Sequence, residues 1–117
     1  MTARWLRAES LALAVLTGIA FVQADASLWW AALWLAPDLA AVGYRVNPAI
    51  GARAYNAAHV YVGPVVLGGV ALAMGTGLAW ALALLWANHI AVDRALGYGL
   101  KEPTGFHDTH LGRIGRG

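Results

Sequence analysis

The residues with chemistry to offer are few and spread along the chain: Glu9, Asp38, His59, His89 and Asp93. Each lies within or beside an apolar run, where an ionisable side chain is costly and by default marks a site. His89 and Asp93 are four apart, which puts both on one helix face, one turn apart. Tyr55 and His59 share that spacing, while Asn56 and His59 are three apart. Two imidazoles with two carboxylates form a borderline-hard donor set suited to zinc, manganese or iron. A site of Asp38, His59, His89 and Asp93 would leave one position for water, activated as in metal hydrolases, with Glu9 a further ligand or the general base. Tyr55 and Asn56 would line it. The same groups also suit a structural network of carboxylate–imidazole and carboxylate–arginine pairs that locks helices together. Spacing alone leaves both readings open.

The elements that must position these groups follow from composition. Of 117 residues, 60% are hydrophobic and only 12% charged. A soluble domain carries about a quarter charged residues, so the chain reads as an integral membrane protein. At about 20 residues per span, the apolar material suffices for four helices and no second domain. The expected spans are Leu6 to Ala24, Leu28 to Tyr44, Ala49 to Ala73 and Leu78 to Tyr98, followed by a short polar tail, 99–117. The expected architecture is an all-α four-helix bundle. The N-terminal run reads as a retained span rather than a cleaved signal, because no convincing signal-peptidase site follows it. Asp25 and Gly75 mark turns, and Asn47-Pro48 opens the third helix. Pro37 and Pro64 each remove a backbone donor, freeing the carbonyls of Leu33 and Val60 beside Asp38 and His59. With no cysteine, disulfides and thiolate ligands are excluded.

Four spans place the N-terminus, the Arg45 loop and the tail on one side, and every basic residue falls there. The positive-inside rule then gives both termini cytoplasmic, in a multi-pass membrane protein. Trp29, Trp30 and Trp80 would mark the outer interface and Trp5 the inner one. Glu9 lies two positions from Arg7, Asp38 seven from Arg45, His59 six from Arg53 and His89 five from Arg94. At about 1.5 Å per helical residue all four fall in the cytoplasmic half, a convergence that predicts a polar pocket there. Small residues around them (Gly51, Ala54, Ala87, Ala91) would let backbones approach closely.

Several segments resemble one family: Leu6-Arg7-Ala8-Glu9, Ala36-Pro37-Asp38-Leu39, Ala54-Tyr55-Asn56-Ala57-Ala58-His59, His89-Ile90-Ala91-Val92-Asp93-Arg94 and Asp108-Thr109-His110-Leu111-Gly112. Together they resemble the small bacterial membrane proteins grouped as domain of unknown function 4260, over essentially the whole chain. That family carries no established activity to transfer. Its motif places lysine where this chain has His107, which leaves His110 as the tail imidazole that could line the site. The order Asp38, His59, His89, Asp93 is also similar to that in membrane-bound, metal-dependent hydrolases. Their serine-containing histidine motif is replaced here by Val60-Tyr61 after His59.

Three functions compete on this reading. One is metal-dependent hydrolysis of a lipid or amphiphile from the cytoplasmic side. Another is a non-catalytic membrane binding or assembly module whose charges are structural. The third, a proton- or ion-coupled transporter, is disfavoured because the outer half offers only Gln23 and Thr76 as polar steps. The expected partners are the lipid bilayer, an amphiphilic substrate and a further copy of the chain. Nucleic acid is not among them, because the basic residues are scattered at span ends rather than clustered.

Overall fold

The computed structural model describes residues 2–24, 26–98, 101–102, 105–109 and 112–113, with side chains up to Tyr98 except at positions 41 and 44. Asp25 and His110 lie outside the described residues. Helices dominate, as composition predicted. α1 is Thr2–Gln23, followed by a 3₁₀ helix, Leu28–Arg45; α2 is Pro48–Ala58, α3 Val62–Met74 and α4 Gly77–Ala95. α1 and α3 both pack on α4, and α2 packs on the 3₁₀ helix.

The second expected span differs in kind from a regular α-helix. Its 18 residues are 3₁₀, a conformation that rarely persists beyond a turn or so. The burial pattern explains how it is held here. From Leu28 onward the half-buried side chains are Trp34, Pro37, Ala40 and Gly43, while the other described ones are exposed. That period of three is the 3₁₀ repeat, so a single narrow row faces the bundle. Small residues let the row sit close. A Cβ on Gly43 would stand 3.2 Å from Ala54 Cβ, Gly51 Cα and the Ile50 carbonyl of α2. At about 2.0 Å rise per residue the element extends about 36 Å, against about 27 Å for an α-helix of the same length. The depth scale applied to Asp38 therefore needs stretching. Asp38 itself falls one position past Pro37, on the flank of the inward row.

The third expected span is interrupted. Pro64 cannot donate to the carbonyl of Val60, and its ring crowds that carbonyl, so the α ladder cannot run through. α2 ends at Ala58, and α3 resumes at Val62. Freed carbonyls in apolar surroundings cost several kcal/mol each if unpaired. Three near the break find side-chain donors: Tyr55 from His59 Nδ1 at 2.8 Å, Ala58 from Trp86 Nε1 at 2.7 Å and His59 from Arg94 Nη2 at 3.2 Å. The interruption thus ties α2 to α4 at the level of the two histidines.

Local signals set the other ends. Asn47 caps α2 by accepting from the Ile50 amide at 2.8 Å, with Pro48 at the first helical position. Gly75 closes α3 at φ 66°, and Gly97 closes α4 at φ 96°, conformations that glycine adopts without strain. The tail, expected to be short and polar, carries a three-stranded antiparallel sheet: β1 Lys101–Glu102, β2 Gly105–Thr109 and β3 Gly112–Arg113. Lys101 pairs with Thr109 and Asp108 with Arg113, and β1 and β2 lie against α2.

The interior is made of small side chains. Ala14, Ala52, Ala71, Ala81, Ala83 and Ala91 are buried, with Phe21, Leu85 and Ile90 as the larger members. Leu, Val and Trp side chains line the outside along most of the described helices. Two segments, Thr2–Gln23 and Pro48–Met74, are long and apolar enough to cross a membrane by length and composition.

Candidate metal centre

Three elements converge on one point. Asp38 comes from the flank of the 3₁₀ helix, His59 from the end of α2, and His89 and Asp93 from successive turns of α4. The four donor atoms all lie within 4.8 Å of one another. His59 Nε2 is 3.2 Å from Asp38 Oδ1 and 3.3 Å from Asp93 Oδ2. His89 Nε2 stands at 3.2 and 3.3 Å from the same two oxygens. The two Nε2 atoms are 3.1 Å apart. Ligands about 2.0–2.1 Å from a tetrahedral zinc are separated by about 3.3–3.4 Å. The four imidazole–carboxylate edges and the imidazole–imidazole edge fall close to that value, and the carboxylate–carboxylate edge is no longer than 4.8 Å.

Surrounding contacts fix the donors. The Tyr55 carbonyl can only accept, so His59 Nδ1 carries the hydrogen of their 2.8 Å bond. In the neutral ring Nε2 is then a lone pair aimed at the other three donors, as in metal-ligating histidines held by an outer partner. The Tyr55 ring stacks on His59 with centroids 3.7 Å apart and planes 6° from parallel. Its hydroxyl donates to Asp93 Oδ2 at 3.4 Å. On the other side the Trp34 ring meets His89 edge-on, centroids 4.5 Å apart. Asn88 anchors Trp34 by accepting from its Nε1 at 3.0 Å. The amide of Asn88 donates to the Ala14 carbonyl at 2.7 Å and to Thr17 Oγ1 at 3.1 Å. Through Asn88 the site is braced from α1.

Both histidines are buried, while the Asp38 side chain is 46% exposed, so the group opens on the Asp38 side. Charge balance there is demanding. Two carboxylates and the His59 lone pair surround His89 Nε2, which has at most one hydrogen to share among three acceptors. A central cation would satisfy all four donors at once.

The structure gathers Asp38, His59, His89 and Asp93, with Tyr55 against them. Asn56 is half-buried, and its carbonyl accepts the His59 amide at 3.0 Å. Glu9 is exposed on α1 and stands outside the four-donor group. His107 belongs to β2 by its backbone. Sequence reasoning did not single out Trp34, Trp86 or Asn88 as site residues. The available signal was their position: two tryptophans away from helix ends, and an amide inside an apolar run, where a polar group must find a partner.

A helical protein with a buried His/Asp group at the meeting of three helices is the class that fold and geometry define. The chain belongs to the family described as Domain of unknown function (DUF4260), whose model matches residues 3–114. Neither the curated proteins nor the solved structures give a match.

Proposed function

We propose that this chain is a multi-pass membrane protein that holds one divalent metal ion on Asp38, His59, His89 and Asp93 and hydrolyses a lipid or amphiphile there. The observation that carries the reading is the donor tetrad itself: five separations of 3.1 to 3.3 Å around one point, with the His59 lone pair fixed toward it. An ion so held would supply Lewis acidity, and would activate a water only as a further ligand, since the four donors alone complete a tetrahedral shell. The chain's part is to orient the imidazoles through Tyr55 and Trp34, exclude water on the α1 side through Asn88, and admit substrate beside Asp38. We assign proton transfer to Glu9, the exposed carboxylate of α1 outside the tetrad. The outward array of large apolar side chains supports a lipid surrounding, since apolar surface on this scale is unfavourable in water. The basic residues at one set of helix ends support cytoplasmic termini. Purified wild type should carry near-stoichiometric zinc, manganese or iron, lowered in His89→Ala. Wild type that is metal-free and resists reconstitution would end the proposal.

One observation favours a second reading, a structural network holding a proton instead of an ion. His89 Nδ1 is buried with no hydrogen-bond partner among the described residues, whereas a ligating histidine usually donates its second N–H. On that reading His59→Ala loses thermal stability in detergent to the same degree with and without metal.

A further inference from the structure

Beside the donor group lies an apolar cleft of about 330 Å³, walled by Leu33, Trp34, Pro37, Leu82, Leu85 and Trp86 between the 3₁₀ helix, α3 and α4. Three of its wall residues adjoin the donor group. Pro37 precedes Asp38 in the chain, and Trp34 contacts His89. Trp86 donates to the carbonyl of Ala58, the residue before His59. Asp38 and His89 therefore each have a cleft wall as an immediate neighbour, and His59 has one bonded to the residue before it. The volume is at the lower end of small-ligand sites, and such sites pair an apolar lining with a few convergent polar groups at one end. Here the convergent polar groups are those of the tetrad, which adjoins the cleft through Pro37 and Trp34 without lining it.

We infer that this cleft is the subsite for a single hydrocarbon chain of the substrate, whose hydrolysable polar head then meets the donor group on the Asp38 side. The inference rests on the metal reading and names the substrate class: a single-chain acyl or alkyl amphiphile. Ala36 also lines the cleft, and Leu67 lines it from α3. Larger side chains at either position fill the cleft without touching a donor.

The test uses alkyl hydroxamates of increasing chain length, which join a metal-binding head to a chain, on zinc-loaded protein in detergent. Wild type should bind the long-chain members more tightly than the short ones, and Ala36→Phe should lose about tenfold of that preference, the scale of one methylene misfit in an apolar pocket. Leu67→Phe approaches from the opposite wall and should act alike, which guards against one variant misfolding. Acetohydroxamate, lacking the chain, should bind all three proteins equally. Identical chain-length dependence in wild type and both variants would place the chain in the surrounding detergent and overturn the inference. Failure of acetohydroxamate to bind wild type would instead count against the metal. The chain subsite is then read from quenching of tryptophan emission by a chain-brominated alcohol, which should fall in both filled variants. Unchanged quenching would refute it.

Discussion

His59 Nδ1 donates to the Tyr55 carbonyl at 2.8 Å, and the other nitrogen of the same ring stands 3.1 Å from His89 Nε2. The first contact decides the second. A neutral ring whose hydrogen is committed to the backbone offers a lone pair at its far end. Two imidazole nitrogens at that distance, flanked by two carboxylates, are a set that a metal ion or a shared proton would join.

Tyr55 holds the site from both sides, stacked on His59 and bonded to Asp93. Tyr55→Phe keeps the stacking and removes the hydroxyl. Zinc affinity, measured by competition with a chelator, should drop by about tenfold, at the low end of the range for losing an outer-shell partner. An unchanged affinity would show that the 3.4 Å contact contributes nothing.

Asn88 ties Trp34 to α1. Asn88→Leu leaves the Trp34 N–H without its acceptor, while the Ala14 carbonyl keeps the Thr17 hydroxyl, at a cost of about 1–3 kcal/mol for a donor so stranded. The melting temperature in detergent should fall, and a shift in tryptophan emission should accompany it. Retention of both would mean that water replaces the amide without loss.

Two glycines on α3 should respond in opposite directions. A Cβ on Gly63 would overlap the Trp86 ring, whereas one on Gly69 meets nothing within 4 Å. Gly63→Ala should destabilise by about 1–3 kcal/mol as Trp86 is pushed off the Ala58 carbonyl. Gly69→Ala should be neutral or stabilising by up to about 1 kcal/mol through helix propensity. Thermal melts of the pair settle it, and equal effects would contradict the packing described.

Glu9→Gln should leave metal content at the wild-type level, because the residue is exposed and outside the donor group. If the variant loses metal in elemental analysis, Glu9 is a ligand after all.

Much of the site was legible in the sequence because its members are chemically conspicuous. His89 and Asp93 announce a shared helix face, and Asp38 and His59 stand out in apolar runs. The architecture around them was harder to read. Leu28 to Arg45 has the composition of an α-helix, and only tertiary contact shows that Trp34, Pro37, Ala40 and Gly43 form a three-residue row. Pro64 signalled a disturbance near His59. It could not say that the helix would stop there, since stopping depends on donors from Trp86 and Arg94 on another helix. Nor do the glycine-rich, polar residues of the tail carry an alternation that would mark strands. Trp34 and Asn88 escaped notice for the same reason as the break, because their partners are far away in sequence.

The most direct test of the central claim is X-ray absorption at the zinc edge on protein purified and reconstituted with zinc. Bound zinc should show a first shell of about four nitrogen and oxygen atoms at about 2.0 Å, with outer scattering from two imidazole rings that falls to one in His59→Ala. A zinc spectrum without imidazole scattering, or one identical in wild type and His59→Ala, would contradict it.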